Sequence, residues 1–118
     1  MTKRMTYLEL PSTDVRRDAS FYEVVLGWKI DRRAADDARF EDGAAQLIGR
    51  WMTGRAVARE PGILPYFYVD GVAAAVARVA AHGGEVVDPP FREGDLWVAR
   101  LRDPAGNKIG LWEFAEPA

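Results

Sequence analysis

Few side chains in this 118-residue chain can do covalent or metal chemistry. It has no cysteine, which removes thiolate catalysis, disulfides and Cys-ligated zinc or iron–sulfur centres. The single histidine, His82, cannot build a multi-histidine metal site, and its place before Gly83-Gly84 reads as a helix end that favours positive charge. What remains is a carboxylate, a lysine and a set of aromatic rings. Glu9 lies in TYLEL, Lys108 in NKIGLW, and Tyr7, Trp51, Tyr66, Tyr68 and Trp112 sit in short alternating segments. A carboxylate between aromatic walls has its pKa raised by desolvation and can act as a general base. Aromatic walls also stack on flat or cationic molecules, at roughly 0.5–1.5 kcal/mol per well-placed contact. Asp103-Pro104-Ala105-Gly106-Asn107 links two strands instead of opening a helix, so it reads as a hairpin turn and not a phosphate loop. Asp36-Asp37 and Glu41-Asp42 read as solvated loop charge.

These residues depend on elements that the sequence pattern predicts. Val15–Leu26 has its large apolar residues on one side, with N-cap side chains in Ser12-Thr13-Asp14 and a C-terminal cap at Gly27. Val72–Ala81 is an alanine-rich second helix, with Asp70 placed to cap it and Gly83-Gly84 to end it. Strands are predicted at 6–10, 28–31, 38–42 and 44–51 around the first helix, and at 65–69, 85–87, 95–101 and 107–112 around the second. Each set reads β-α-β-β-β.

The two sets also match in residues. Residues 40–51 lie over 101–112 without a gap, pairing Asp42 with Asp103, Ile48 with Ile109, Gly49 with Gly110 and Trp51 with Trp112. The chain therefore divides into module one (5–51), a polar linker (52–63) and module two (64–114), within a single domain over 1–118.

At LPSTDVRRDASFYEVVLGW (10–28), YVDGVAAAVARVAAHGGEVV (68–87) and RDPAGNKIGLWE (102–113), the chain resembles the vicinal-oxygen-chelate superfamily of glyoxalase I, bleomycin-resistance proteins and extradiol dioxygenases. The resemblance implies an α+β fold: two tandem βαβββ modules forming an eight-stranded open cup, helices outside, ligand inside. It also implies a homodimer, with one cup per chain or, by module exchange, two cups per dimer.

Strand alternation predicts which side chains face the cup. Leu8, Leu10, Phe67, Val69, Ile48 and Ile109 point to the helix side. Tyr7, Glu9, Leu47, Gly49, Trp51, Leu64, Tyr66, Tyr68, Lys108, Gly110 and Trp112 then line the cup, with Lys108 neutralising Glu9. Metal-dependent members of the family take one ligand from each of four strands. Those positions fall on Tyr7, Gly49, Leu64 and Gly110, none of which suits a divalent ion. The resemblance therefore implies a protein without metal or other cofactor.

Composition bounds the rest. At 48% hydrophobic and 29% charged residues the chain is of globular type, which excludes disordered and fibrous classes. A net charge of −2, with arginines spread along the chain, excludes a nucleic-acid role. No apolar run approaches a membrane span, and the N-terminus has no leader pattern, so a cytoplasmic location is expected. The function expected is stoichiometric binding of a planar or cationic small molecule, of the drug-sequestering type. The alternatives are a metal-free lyase or isomerase with Glu9 as general base, and a structural dimer with a filled cup.

Overall fold

The computed structural model describes residues 3–44 and 46–116. The elements run β1 (Tyr7–Pro11), α1 (Val15–Leu26), β2 (Lys29–Ala34), β3 (Asp37–Glu41), β4 (Ile48–Met52), β5 (Tyr66–Tyr68), α2 (Val72–Val79), β6 (Glu85–Glu93), β7 (Leu96–Arg102) and β8 (Lys108–Phe114). This is the expected βαβββ order, twice. The eight strands form two four-stranded sheets, ordered β1-β4-β3-β2 and β5-β8-β7-β6. In each, a parallel pair made across the helix (β1 with β4, β5 with β8) precedes two antiparallel pairs.

The Asp14 side chain accepts from Arg17 N at 3.2 Å to start α1, and Gly27, at φ 73°, stops it in the left-handed region. The N-cap of α2 is Gly71, which has no side chain to bond the first turn, so Asp70 does not cap. That helix ends after Val79 and passes through a 3-10 turn over Ala80–His82. Strand β6 continues past the expected 85–87 because register shifts around Pro89-Pro90 let it resume pairing at Phe91. The strand expected over 44–51 begins only at Ile48; Ala45 lies outside the described residues.

The helices cover one face of each sheet and pack against each other, and one continuous core runs between them. Its centre is aromatic: Trp28 stacks on Phe40 at 4.2 Å and on Tyr22 at 4.8 Å, and meets Phe67 of module two edge-on at 5.2 Å. A buried polar network ties the modules at the same level. Tyr22 donates to Asp103 Oδ2 at 2.7 Å, and Asn107 Nδ2 donates to that oxygen and to Pro11 O. Ala58 N donates to Asn107 Oδ1, and Lys108 N donates to Ala58 O, so the linker is strapped onto module two. The opposite face of each sheet carries no helix.

Candidate functional site

The open face of the second sheet follows the expected alternation. Phe67, Ile109 and Leu111 are buried in the core. Tyr66 and Tyr68 are 38% and 54% exposed, and Tyr66 pairs with Gly110 while Tyr68 pairs with Trp112. Gly110 permits this ring position: a Cβ would overlap Cδ2 and Cε2 of Tyr66 and lie 2.8 Å from its Cζ. The bare strand lets the tyrosine ring lie down over it. Arg100 Nε then donates to Tyr66 Oη at 2.5 Å, with its guanidinium also bonded to Asp88 and placed 5.3 Å from the Phe91 ring. Asp88 and Tyr66 raise the Arg100 pKa, fixing its charge. Tyr66, Leu96, Val98, Trp112 and Glu93 enclose a mostly apolar pocket of about 290 Å³. Trp112 is braced edge-on by Tyr68 at 5.2 Å and Phe114 at 5.0 Å. Trp97 packs against the core instead, and Arg92 lies 5.6 Å from its ring.

The first sheet departs from the expectation in one strand. Trp51 is 2% exposed, between Tyr22 and Phe40 in the core, and Leu47 is also in the core. Gly49 faces the same way: a Cβ there would overlap Leu8 O and fall 2.6 Å from Cζ of Phe40. Leu47, Gly49 and Trp51 therefore point their side-chain positions at the helix side, and Ile48 and Arg50 take the open face. The cause is hairpin length. Asp103 N bonds Asn107 O in module two, whereas Asp42 N bonds Leu47 O in module one, one residue further along. One extra residue in the turn moves every side chain of β4 to the other face. Gly49 still borders the open face through its backbone, in a groove of about 480 Å³ that also includes Tyr7, Ile48, Arg39 and Lys29.

The register shift changes which positions correspond. Glu9 pairs with Arg50 as Tyr66 pairs with Gly110. Arg50, not Gly49, is thus the counterpart of Gly110. The four positions that the family fills with metal ligands are here Tyr7, Arg50, Leu64 and Gly110, a set that repels or ignores a divalent ion. Among the described residues no group of three or more His, Cys, Asp or Glu is placed to hold one. A divalent metal does not fit these residues.

Glu9 keeps its predicted place on the open face but not its predicted partner. Arg55 Nη1 donates to Oε1 at 3.1 Å and Arg50 Nε to Oε2 at 3.3 Å. The hydrogen bond from Arg55 is the largest influence and, with Arg50, holds the Glu9 pKa below its ordinary 4.5 against a smaller push from desolvation. The expected raised carboxyl is absent. Lys108 pairs with Glu60 of the linker at 3.7 Å. Glu9, Leu64 and Lys108 border an apolar groove of about 390 Å³ where β1 meets β5 and β8. Arg50, Arg55 and Arg100 were not singled out by sequence. The pairing of Asp42 with Asp103 was visible there, but the unequal closure of the two turns was not.

Residues 4–111 match the family described as Glyoxalase/Bleomycin resistance protein/Dioxygenase superfamily, and the chain belongs to it. It is 29% identical over 120 residues to "Putative glyoxylase CFP32" of Mycobacterium bovis, a match covering 91% of this chain and 44% of that protein. The chain thus spans less than half the length of the curated relatives it matches. Among solved structures, it is similar to a glyoxalase/bleomycin resistance protein/dioxygenase family enzyme from Burkholderia phytofirmans PsJN (TM-score 0.75, 18% identity, covering 91% of this chain and 95% of that one). A glyoxalase/bleomycin resistance protein from Albidiferax ferrireducens T118 gives a TM-score of 0.73 at 23% identity, covering 92% and 97%. At these identities the likeness concerns the fold.

Proposed function

We propose that the chain binds a planar small molecule on its open face, stoichiometrically and without a resident metal, as in drug sequestration. The observation that carries this reading is the pocket between Tyr66 and Trp112, walled by flat rings, with the Tyr66 ring seated over Gly110. Each stacked ring contributes about 0.5–1.5 kcal/mol beyond area burial. The lyase or isomerase alternative draws no support from Glu9, since a carboxylate held ionised by two guanidinium groups is a weak base. In this reading the protein acts as a homodimer. What supports that part is the exposure of large apolar side chains, Ile63 at 89%, Phe114 at 68% and Met5 at 60%.

The test is calorimetric titration of dialysed protein with neutral 2-naphthylmethanol, beside thermal melts with divalent metals. Binding that W112A weakens, with no metal raising the midpoint, supports the proposal. No binding, or a metal that stabilises strongly, refutes it.

A further inference from the structure

One row of the second sheet's open face is built around a missing side chain. Tyr66, Gly110, Arg100 and Asp88 are successive register partners across β5, β8, β7 and β6. Neighbouring strands lie about 4.8 Å apart, so Tyr66 and Arg100 start two strand spacings from each other. The Tyr66 ring fills the space that a Cβ on Gly110 would take, which brings its Oη within reach of Arg100 Nε. The guanidinium lies 5.7 Å from the Tyr66 ring and is itself fixed from the far side. Its Nη1 donates to Asp88 Oδ2 at 3.1 Å, and the Phe91 ring is 5.3 Å away.

The two flat walls of the pocket are held in different ways. Trp112 is braced edge-on by Tyr68 and by Phe114. Tyr66 stands on a three-residue strand at the edge of its sheet, and its ring is 38% exposed. A side chain so placed keeps its rotamer freedom unless something bonds it, and ordering it at the moment of binding costs affinity. The charge-assisted hydrogen bond from Arg100 removes that freedom beforehand. Arg100 does not enclose the pocket, which is bounded by Tyr66, Glu93, Leu96, Val98 and Trp112.

We infer that Arg100 is a positioning residue of the ligand site, holding the Tyr66 ring in place before the ligand arrives, with Asp88 and Phe91 holding Arg100. This rests on the proposed planar-ligand reading and assigns the device that keeps one of its two walls preformed. Tyr66→Phe would keep the flat ring and remove the oxygen by which Arg100 holds it. The hydroxyl thus serves the placing of the ring, and Arg100 acts on the ligand through Tyr66.

The test is calorimetric titration of the parent, Y66F, R100M and the Y66F/R100M double variant with 2-naphthylmethanol. W112A serves as the control for the pocket, at a temperature where melts show every variant folded. The probe is uncharged, so the charge of Arg100 does not enter the comparison directly. Y66F and R100M are each expected to bind about fivefold more weakly, as freeing one side chain requires. The double variant should bind no more weakly than either single one, because both remove the same link. Parent-like affinity in Y66F or in R100M, with W112A still weakened, overturns the inference and leaves the planar-ligand reading standing. Losses that multiply in the double variant also overturn it, by giving Arg100 a role apart from Tyr66. No binding by the parent, or binding that W112A leaves unchanged, overturns both.

Discussion

The reversed face of β4 makes Gly49→Ala the most informative substitution in the molecule. By sequence Gly49 and Gly110 are equivalent, each followed two residues later by a tryptophan. In the structure a methyl at Gly49 would overlap the Leu8 carbonyl oxygen and press on Phe40, which is itself stacked on Trp28. Neither neighbour can yield. The carbonyl belongs to the adjacent strand β1, and the Phe40 ring is 3% exposed at the centre of the core. The cost is about 3 kcal/mol, the upper end for overpacking, because backbone has to move. For a domain of this size that lowers the melting midpoint by roughly 12 °C, at about 4 °C per kcal/mol. The three atoms nearest a methyl at Gly110 all belong to the ring of Tyr66, which is 38% exposed and can swing outward. Its cost is the hydrogen bond and ring contact with Arg100, about 1 kcal/mol and so about 4 °C. Thermal and urea unfolding of the two variants, followed by circular dichroism, measures the difference. If G49A melts within about 2 °C of the parent, Gly49 faces open space and the reasoning about the longer turn is wrong.

Other outcomes follow from the same contacts. Trp112→Ala is expected to weaken planar-probe binding about tenfold while leaving the melting midpoint within a few degrees, since Trp112 lies on the open face and outside the core; calorimetry and a melt check this. Asn107→Ala removes the bonds to Pro11 O, Asp103 and Ala58 N in the buried module junction. It should cost about 3 kcal/mol by urea titration, because the partners stay buried and unpaired. Carboxyl ¹³C NMR should show Asp103 titrating above its ordinary 3.8 and Glu9 below its ordinary 4.5. Burial raises Asp103 against hydrogen bonds from Asn107 and Tyr22, so between 3.8 and its raised value the folded state holds the extra proton and stability falls as pH rises. Glu9 has the opposite sign: its contribution is present above 4.5 and is lost as pH falls through its lowered value. Reversed order of the two midpoints would sink the assignment of both environments.

The sequence by itself determined the repeat, both helices and the facing of most strands. A period of two fixes a face once any one residue is anchored, and Leu10, Phe67 and Ile109 are anchored by their hydrophobicity against the helices. Of the four positions matched to the family's metal ligands, the sequence reading placed Gly49 where the strand pairing puts Arg50. Strand β4 was not legible. Its motif Ile48-Gly49-Arg50-Trp51 copies Ile109-Gly110-Leu111-Trp112, yet its face depends on how many residues the preceding turn consumes. Asp42 closes on Leu47 and Asp103 on Asn107, a difference of one residue that a gapless alignment hides. Only the tertiary structure decided the surroundings of Glu9. Its partners are 41 and 46 residues away, Arg50 brought by the parallel β1–β4 pairing and Arg55 by the path of the linker. Charge on a side chain is local information. The field it sits in is set by which strands pair, and that turned a predicted base facing a cation into the hinge of an arginine cluster.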